Sequence, residues 1–90
     1  SDWMLEAVEL FKQSNYKPAR ELIVNQARPE EYDEVFKFLY RNLHLWGNES
    51  IKQDQAVVII RDGMAKSTLC ADPEINLSAT LIELQINALG

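Results

Sequence analysis

The side chains in this chain that could take part in catalysis or bind a metal are few. His44 is the only histidine, so a zinc site or a histidine-based triad would have to combine it with distant carboxylates. It lies between Leu43 and Trp46, near the predicted end of a helix. There we expect the imidazole to lie at the surface or to contact the last helical carbonyls, and we predict neither a metal site nor a catalytic centre at His44.

A run of acidic residues is the second group that could do chemistry: Glu30, Glu31, Asp33 and Glu34. Carboxylates this close in sequence are suited to binding a cation or to acid–base catalysis. They follow Pro29, however, and negative charges in the first turn of a helix are stabilised by the helix dipole. We therefore interpret them as solvated residues at the start of a helix.

Nucleotide chemistry has no support in the pattern of glycines. A phosphate-binding loop needs clustered glycines followed by Lys and Ser or Thr, and the three glycines of this chain, Gly47, Gly63 and Gly90, are not in such a setting. We expect no ATPase activity and no cofactor. The single Cys70 rules out an internal disulfide framework and is compatible with a reducing cytoplasm. We expect it to be a small buried apolar residue.

The charge of the chain argues against a nucleic-acid interface. The net charge is −5 and the basic residues are scattered, whereas phosphate binding needs clustered cations. The sequence shows neither a signal peptide nor an apolar run of about twenty residues, so we expect a cytoplasmic protein without membrane contact. Five aromatic residues could stack on bases, but we interpret those at helical spacing as core: Trp3, Tyr16, Tyr32, Tyr40 and Trp46.

Apolar residues recur at helical spacing in five segments, which predicts one all-α domain of five helices over residues 1–90. Ser1 or Asp2 is expected to cap the first helix, which ends near Gln13. Asn15 is expected to cap the second helix, because Asn often occupies the N-cap position. The inner stripe of the second helix is predicted at Ala19, Leu22, Ile23 and Gln26 or Ala27.

The third and fourth helices are separated by a turn at Gly47-Asn48. Pro29 is expected to begin the third helix and Ser50 to cap the fourth. The inner stripe of the third helix is predicted at Tyr32, Val35, Phe36, Leu39, Tyr40 and Leu43.

The β-branched run at residues 56–60 leaves a short buried strand as an alternative to the fourth helix. A helix is favoured because the apolar pattern continues from Ile51 to Leu69 and no partner strand is visible. Gly63 then marks a bend or a close helix crossing.

The last helix has the clearest start and the widest apolar surface. Asp72 can cap it, Pro73 fits its first position, and Glu74 faces the positive end of its dipole. Asn76, Thr80, Glu83 and Asn87 form a narrow polar stripe. One apolar flank contains Ile75, Ala79, Ile82, Ile86 and Leu89, and the other contains Leu77, Leu81, Leu84 and Ala88. A helix with apolar residues on both flanks is either central in its domain or shared with another subunit.

Three segments carry a resemblance to a known family. Ala71–Leu77 opens the last helix, Asn15–Leu22 covers the second helix start, and Tyr32–Arg41 forms the third helix. Taken in their order along the chain, the three segments resemble the C-terminal collar domain of clamp-loader small subunits of the replication factor C type, most closely the form found in T4-like phages. These subunits are AAA+ ATPases that open sliding clamps in DNA replication.

The resemblance implies a collar that joins subunits of a pentameric clamp loader, with copies of the same subunit and a distinct companion subunit as partners. The AAA+ ATPase module is absent from this chain, so the clamp and DNA would be contacted only through that module, in the host cytoplasm if a phage encodes the protein. The chain would then be a trimmed fragment or a naturally short protein. The alternative is a free-standing helical adaptor that binds a partner helix.

Apolar residues on both flanks of the last helix are the candidate subunit interface: Ile75, Leu77, Leu81, Leu84, Ile86 and Ala88. Arg20 and Arg61 are candidates for salt bridges between subunits, although an ordinary exposed position on a helix is the favoured interpretation of each.

Overall fold

Helices account for nearly all the regular structure in the computed structural model, which describes residues 2–90. The predicted all-α class is confirmed, since no strand occurs in this part of the chain. The helical interpretation of residues 56–60 is also confirmed. The helices are α1 (Asp2–Lys12), α2 (Tyr16–Gln26), α3 (Tyr32–Arg41), α4 (Ser50–Lys66) and α5 (Pro73–Leu89), with short 3₁₀ turns at Pro29–Glu31 and Leu43–Trp46.

The start of α5 has the predicted capping arrangement. The Asp72 carboxylate accepts hydrogen bonds from the backbone N–H groups of Glu74 at 2.9 Å and Ile75 at 3.2 Å. Two amides that have no partner within the helix are thereby satisfied, which stabilises the first turn. Pro73 occupies the first helical position, where no donor is needed.

Of two other predicted caps, one is confirmed in position only and the other is wrong. Asn15 occupies the N-cap position of α2, but its side chain donates to Gln13 Oε1 at 3.3 Å instead of accepting from the helix. Ser50 is the first residue of α4, and Glu49 takes the N-cap position. Asp2 is the first residue of α1, whereas Ser1 lies outside the described residues.

The third helix is shorter than the sequence predicts. Asn42 leaves helical geometry, and its side-chain amide donates to the Phe38 carbonyl at 2.8 Å, which satisfies one carbonyl at the helix end. The following 3₁₀ turn places Leu45 and Trp46 in the core. Tyr40, expected on the inner stripe, is instead 55% exposed.

The helices pack in two main pairs, α1 with α2 and α4 with α5, while α3 packs against α4. α5 also contacts α2 and the Leu43–Trp46 turn. Trp46 is fully buried, packs edge-on against Phe11 with ring centroids 4.9 Å apart, and donates its indole N–H to the Leu39 carbonyl at 3.3 Å. No helix within residues 2–90 combines the length and apolar character needed to cross a membrane.

The close crossing predicted at Gly63 is present between α4 and α5. A Cβ atom added at Gly63 would lie 2.9 Å from Phe36 Cε1 and closer still to Thr80 Oγ1. Both neighbours are buried and have little room to move. The absence of a side chain at Gly63 therefore sets how closely the two helices approach.

We expect Gly63→Ala to destabilise the domain by about 1–2 kcal/mol. The overpacking cost of about 1–3 kcal/mol is only partly offset by the roughly 1 kcal/mol better helix propensity of Ala. Thermal or urea unfolding followed by circular dichroism measures the change. In a Thr80→Ala background the penalty of Gly63→Ala should shrink, because the closest neighbour is removed. A higher melting temperature for Gly63→Ala alone would contradict the close packing.

Candidate functional site

The polar stripe of α5 faces the interior at its N-terminal half. Asn76 and Thr80 are both buried. The Asn76 side chain donates to the Gly63 carbonyl at 2.9 Å, and the Thr80 hydroxyl donates to the Asn76 carbonyl at 2.9 Å. Because each buried polar side chain has a partner, the polar stripe can face α4 without the cost of an unsatisfied group.

The C-terminal half of α5 is held to α4 by a second pair of hydrogen bonds. The Asn87 side chain donates to the Lys52 carbonyl at 2.9 Å, and the Lys52 ammonium donates to the Ala88 carbonyl at 3.1 Å. Together with the Asn76–Gly63 bond, these contacts show that α4 and α5 run antiparallel. They also fix the rotation of α5 about its axis, which determines which residues face outward.

Three of the predicted interface residues are buried in the core of this chain. Leu77, Leu81 and Leu84 belong to the hydrophobic core and are at most 2% exposed. They are therefore not on the surface that a partner would meet. Ala88 is half-buried beside Lys52.

The opposite flank of α5 is exposed. Ile75, Ile86 and Leu89 are 63–65% exposed, and Ile82 and Ala79 are also exposed. We call Ile75, Ala79, Ile82, Ile86 and Leu89 the outer stripe. Its members are spaced 4, 3, 4 and 3 residues apart, which is the spacing of a seam between packed helices.

Burying the outer stripe would be favourable. Full burial of an Ile or Leu side chain contributes about 1.5–3 kcal/mol, so the four large residues of the stripe, which are 39–65% exposed, still have on the order of 5 kcal/mol to gain before association costs. The side chains next to the stripe along α5 include exposed Glu74 and Glu83. An apolar strip with a charged margin is the arrangement of many protein–protein interfaces.

The residues considered for catalysis or metal binding are not brought together. His44 is exposed on the 3₁₀ turn. Glu31 accepts from the backbone N–H of Arg28 at 2.9 Å, and Glu34 pairs with Lys37 at 3.4 Å. No three His, Cys, Asp or Glu residues converge on one point within residues 2–90.

Cys70 departs from its predicted burial. The side chain is only half-buried, and its thiol donates to the Asp72 carbonyl at 3.3 Å. Cys70 belongs to the turn between α4 and α5, and it therefore lies beside the core rather than within it.

The two arginines considered for subunit contacts have different surroundings. Arg20 donates to Gln85 Oε1 at 3.3 Å and so links α2 to α5 within this chain. Arg61 is exposed and pairs only with its neighbour Asp62, at 3.4 Å, among the described residues. Of the aromatic residues, Tyr32 and Trp46 are buried and Trp3 and Tyr16 are half-buried, so most serve the core as predicted.

A polar cavity of about 480 Å³ lies where the 3₁₀ turn before α3 meets the start of α5. Tyr32 lines it together with Asp72 and Glu74. Burial raises the pKa of the Tyr32 phenol above its ordinary value of 10.0, and the negative charges of Glu74 and Asp72 raise that pKa further. The phenol is thus held neutral, and we assign it a packing role.

Comparisons with protein-family models, with curated proteins and with solved structures gave no match for this chain.

We expect Leu84→Ala and Ile86→Ala to differ sharply in stability. Leu84 is fully buried, so its truncation leaves a cavity and should cost about 2–5 kcal/mol. Ile86 is mostly exposed, and its truncation should change the free energy of unfolding by roughly 0.5 kcal/mol or less. Urea unfolding of both variants at low protein concentration provides the measurement. Equal losses would show that the two flanks of α5 are assigned incorrectly.

We expect the domain to lose stability at alkaline pH partly through Tyr32. Because the pKa of this phenol is higher in the folded state, its contribution is fully present below about pH 10 and is lost as pH rises through the folded pKa. Tyr32→Phe should therefore flatten the fall in unfolding free energy above pH 10. Urea unfolding from pH 7 to 11 tests this, and identical slopes for both proteins would refute it.

Proposed function

We propose that this chain is a subunit-assembly domain, of the collar type that its sequence resembles, in a pentameric DNA sliding-clamp loader. The observation that supports the proposal is the outer stripe. It is an exposed apolar seam on a helix whose other sides are already occupied by α4 and the core. Neighbouring subunits would cover it with apolar helix faces of their own.

Binding rather than catalysis is the role we propose for the chain itself. The outer stripe offers apolar area and a rigid helical framework, which are what an interface needs. At about 5 kcal/mol the gain from this seam is modest after association costs, so we infer that it acts together with contacts made by the attached modules. Those modules would be the AAA+ ATPases, and they would contact the clamp and DNA.

The proposed partners follow from the same reasoning. Copies of the subunit and a distinct companion subunit would form the ring, in the cytoplasm of the host if a phage encodes the protein. The neighbouring surfaces need apolar helices that match the 4-3-4-3 spacing of the outer stripe.

We expect Ile82→Glu combined with Ile86→Glu to leave the domain folded but to prevent assembly. Both side chains are exposed, so the charges remain solvated in the free domain, whereas at a subunit interface they would be desolvated without partners. The double variant is made in the full-length subunit, coexpressed with its companion, and examined by sedimentation velocity. Circular dichroism of the 90-residue chain monitors the fold.

The matched control is Ile51→Glu combined with Val58→Glu, which places the same two charges on exposed aliphatic residues of α4 that lie outside the outer stripe. This control should assemble like the wild type. If the double variant assembles normally while folded, the outer stripe is not a subunit interface and the proposal fails. An open reading frame that continues upstream into a P-loop module would favour the collar over a free-standing adaptor.

A further inference from the structure

A second apolar surface lies between α3 and α4, away from the outer stripe. Phe36 and Ile60 form its buried floor, and Val57 and Met64 form its side wall. The groove measures about 260 Å³. That is smaller than the roughly 300–1,000 Å³ of small-molecule sites, and it suits a single large side chain of a protein partner.

The charged residues on the rim of this groove are both basic. Lys37 and Arg61 line it, and each also pairs with one exposed carboxylate, Glu34 or Asp62, at 3.4 Å. Exposed pairs of this kind are weak, so both cations remain able to interact with further anions. The groove is thus matched to an apolar side chain that is flanked by carboxylates.

α1 of the same chain presents such a side chain. Leu5 is 70% exposed. Asp2 and Glu9, three residues before and four residues after it, share its face of the helix, and Glu6 is adjacent in sequence. All three acids are exposed, and among the residues that the structure describes only Glu9 pairs with a basic side chain, Lys12, at 3.7 Å.

We propose that Leu5 of one copy of this chain inserts into the α3–α4 groove of a second copy, with the acidic residues of α1 facing Lys37 and Arg61. The contact joins two different surfaces, so it is heterologous. We call the Leu5 side chain the knob. A pair of copies keeps one free knob and one free groove, and such contacts build rings or open chains rather than closed dimers. The outer stripe takes no part, so this contact does not depend on the proposed function.

The two methionines of the chain are reporters for the two surfaces. Met4 is adjacent to Leu5, and Met64 lines the groove. Methyl-¹³C-methionine labelling therefore gives one NMR signal at each side of the proposed contact. All proteins carry Ile86→Glu, so that association through the outer stripe does not contribute. With Leu5 and the groove intact, both signals should shift in a saturable way as protein concentration rises.

Two variants separate the surfaces. Leu5→Glu disables the knob, and Lys37→Glu combined with Arg61→Glu disables the rim; all three positions are exposed, so the fold should persist, as checked by circular dichroism. Either change should weaken self-association at least tenfold. Leu5→Ala, which adds no charge, should weaken it in the same direction. Leu69→Glu, at another highly exposed leucine, is the matched control and should leave the concentration dependence unchanged.

The decisive experiment mixes the two variants. Labelled Leu5→Glu protein has an intact groove, and unlabelled Lys37→Glu/Arg61→Glu protein has an intact knob. Adding the second to the first should shift the Met64 signal and stop at a one-to-one complex, because neither protein can extend the chain further.

Three results would overturn the proposal. The first is no Met64 shift on mixing. The second is an equal shift when unlabelled Leu5→Glu protein is added, which would mean that another residue enters the groove. The third is concentration-independent signals in the parent protein. None of these results bears on whether Ile82→Glu with Ile86→Glu prevents assembly. Each proposal can therefore fail without the other.

Discussion

Between α4 and α5, a missing side chain and three hydrogen bonds decide how the rest of the domain is arranged. Gly63 lets the helices approach until its carbonyl is within reach of the Asn76 side chain, while Thr80 and Phe36 fill the space beside it. Asn87 and Lys52 hold the other end of the pair. α5 therefore has one rotational setting, because a turn about its axis would break bonds at both ends at once.

This setting divides the apolar residues of α5 between two different tasks. The leucines Leu77, Leu81 and Leu84 are directed into the core, and the outer stripe is left to solvent. Leaving four large aliphatic side chains on one exposed helical face is unusual for an element that has enough core contacts already. Their exposure at helical spacing is the observation on which the proposed subunit interface rests.

Much of the fold follows from local rules that the sequence displays. The five helices arise from apolar periodicity, and the Asp72 cap follows from residue type and position. The failures have a common cause in hydrogen bonds that polar side chains make with residues nearby in sequence. Asn42 ends α3 early by bonding back to Phe38, and Asn15 prefers Gln13 to its own helix. Several side-chain partners were available to each of these residues, and spacing alone does not rank them.

The candidate site was predictable only in part, for a related reason. Periodicity identified two apolar flanks on α5 but not which one is buried, because a polar stripe between them suggests an outward face. Asn76 and Thr80 face inward instead, since a glycine carbonyl and a helix carbonyl receive their hydrogen bonds. The α3–α4 groove could not be foreseen, because Phe36 and Met64 come together only when α3 packs on α4.

The complete burial of Trp46 gives this domain an optical property of its own. Its indole is sealed from water, lies edge-on to Phe11 and is hydrogen-bonded to Leu39, whereas the other tryptophan, Trp3, is partly open to solvent. The native protein should therefore emit from two distinct populations: a blue-shifted one protected from soluble quenchers and a red-shifted one that is accessible to them. Disruption of the core changes the first, and a partner that covers α1 changes the second. Intrinsic fluorescence can thus report on folding and on docking separately, without an attached dye.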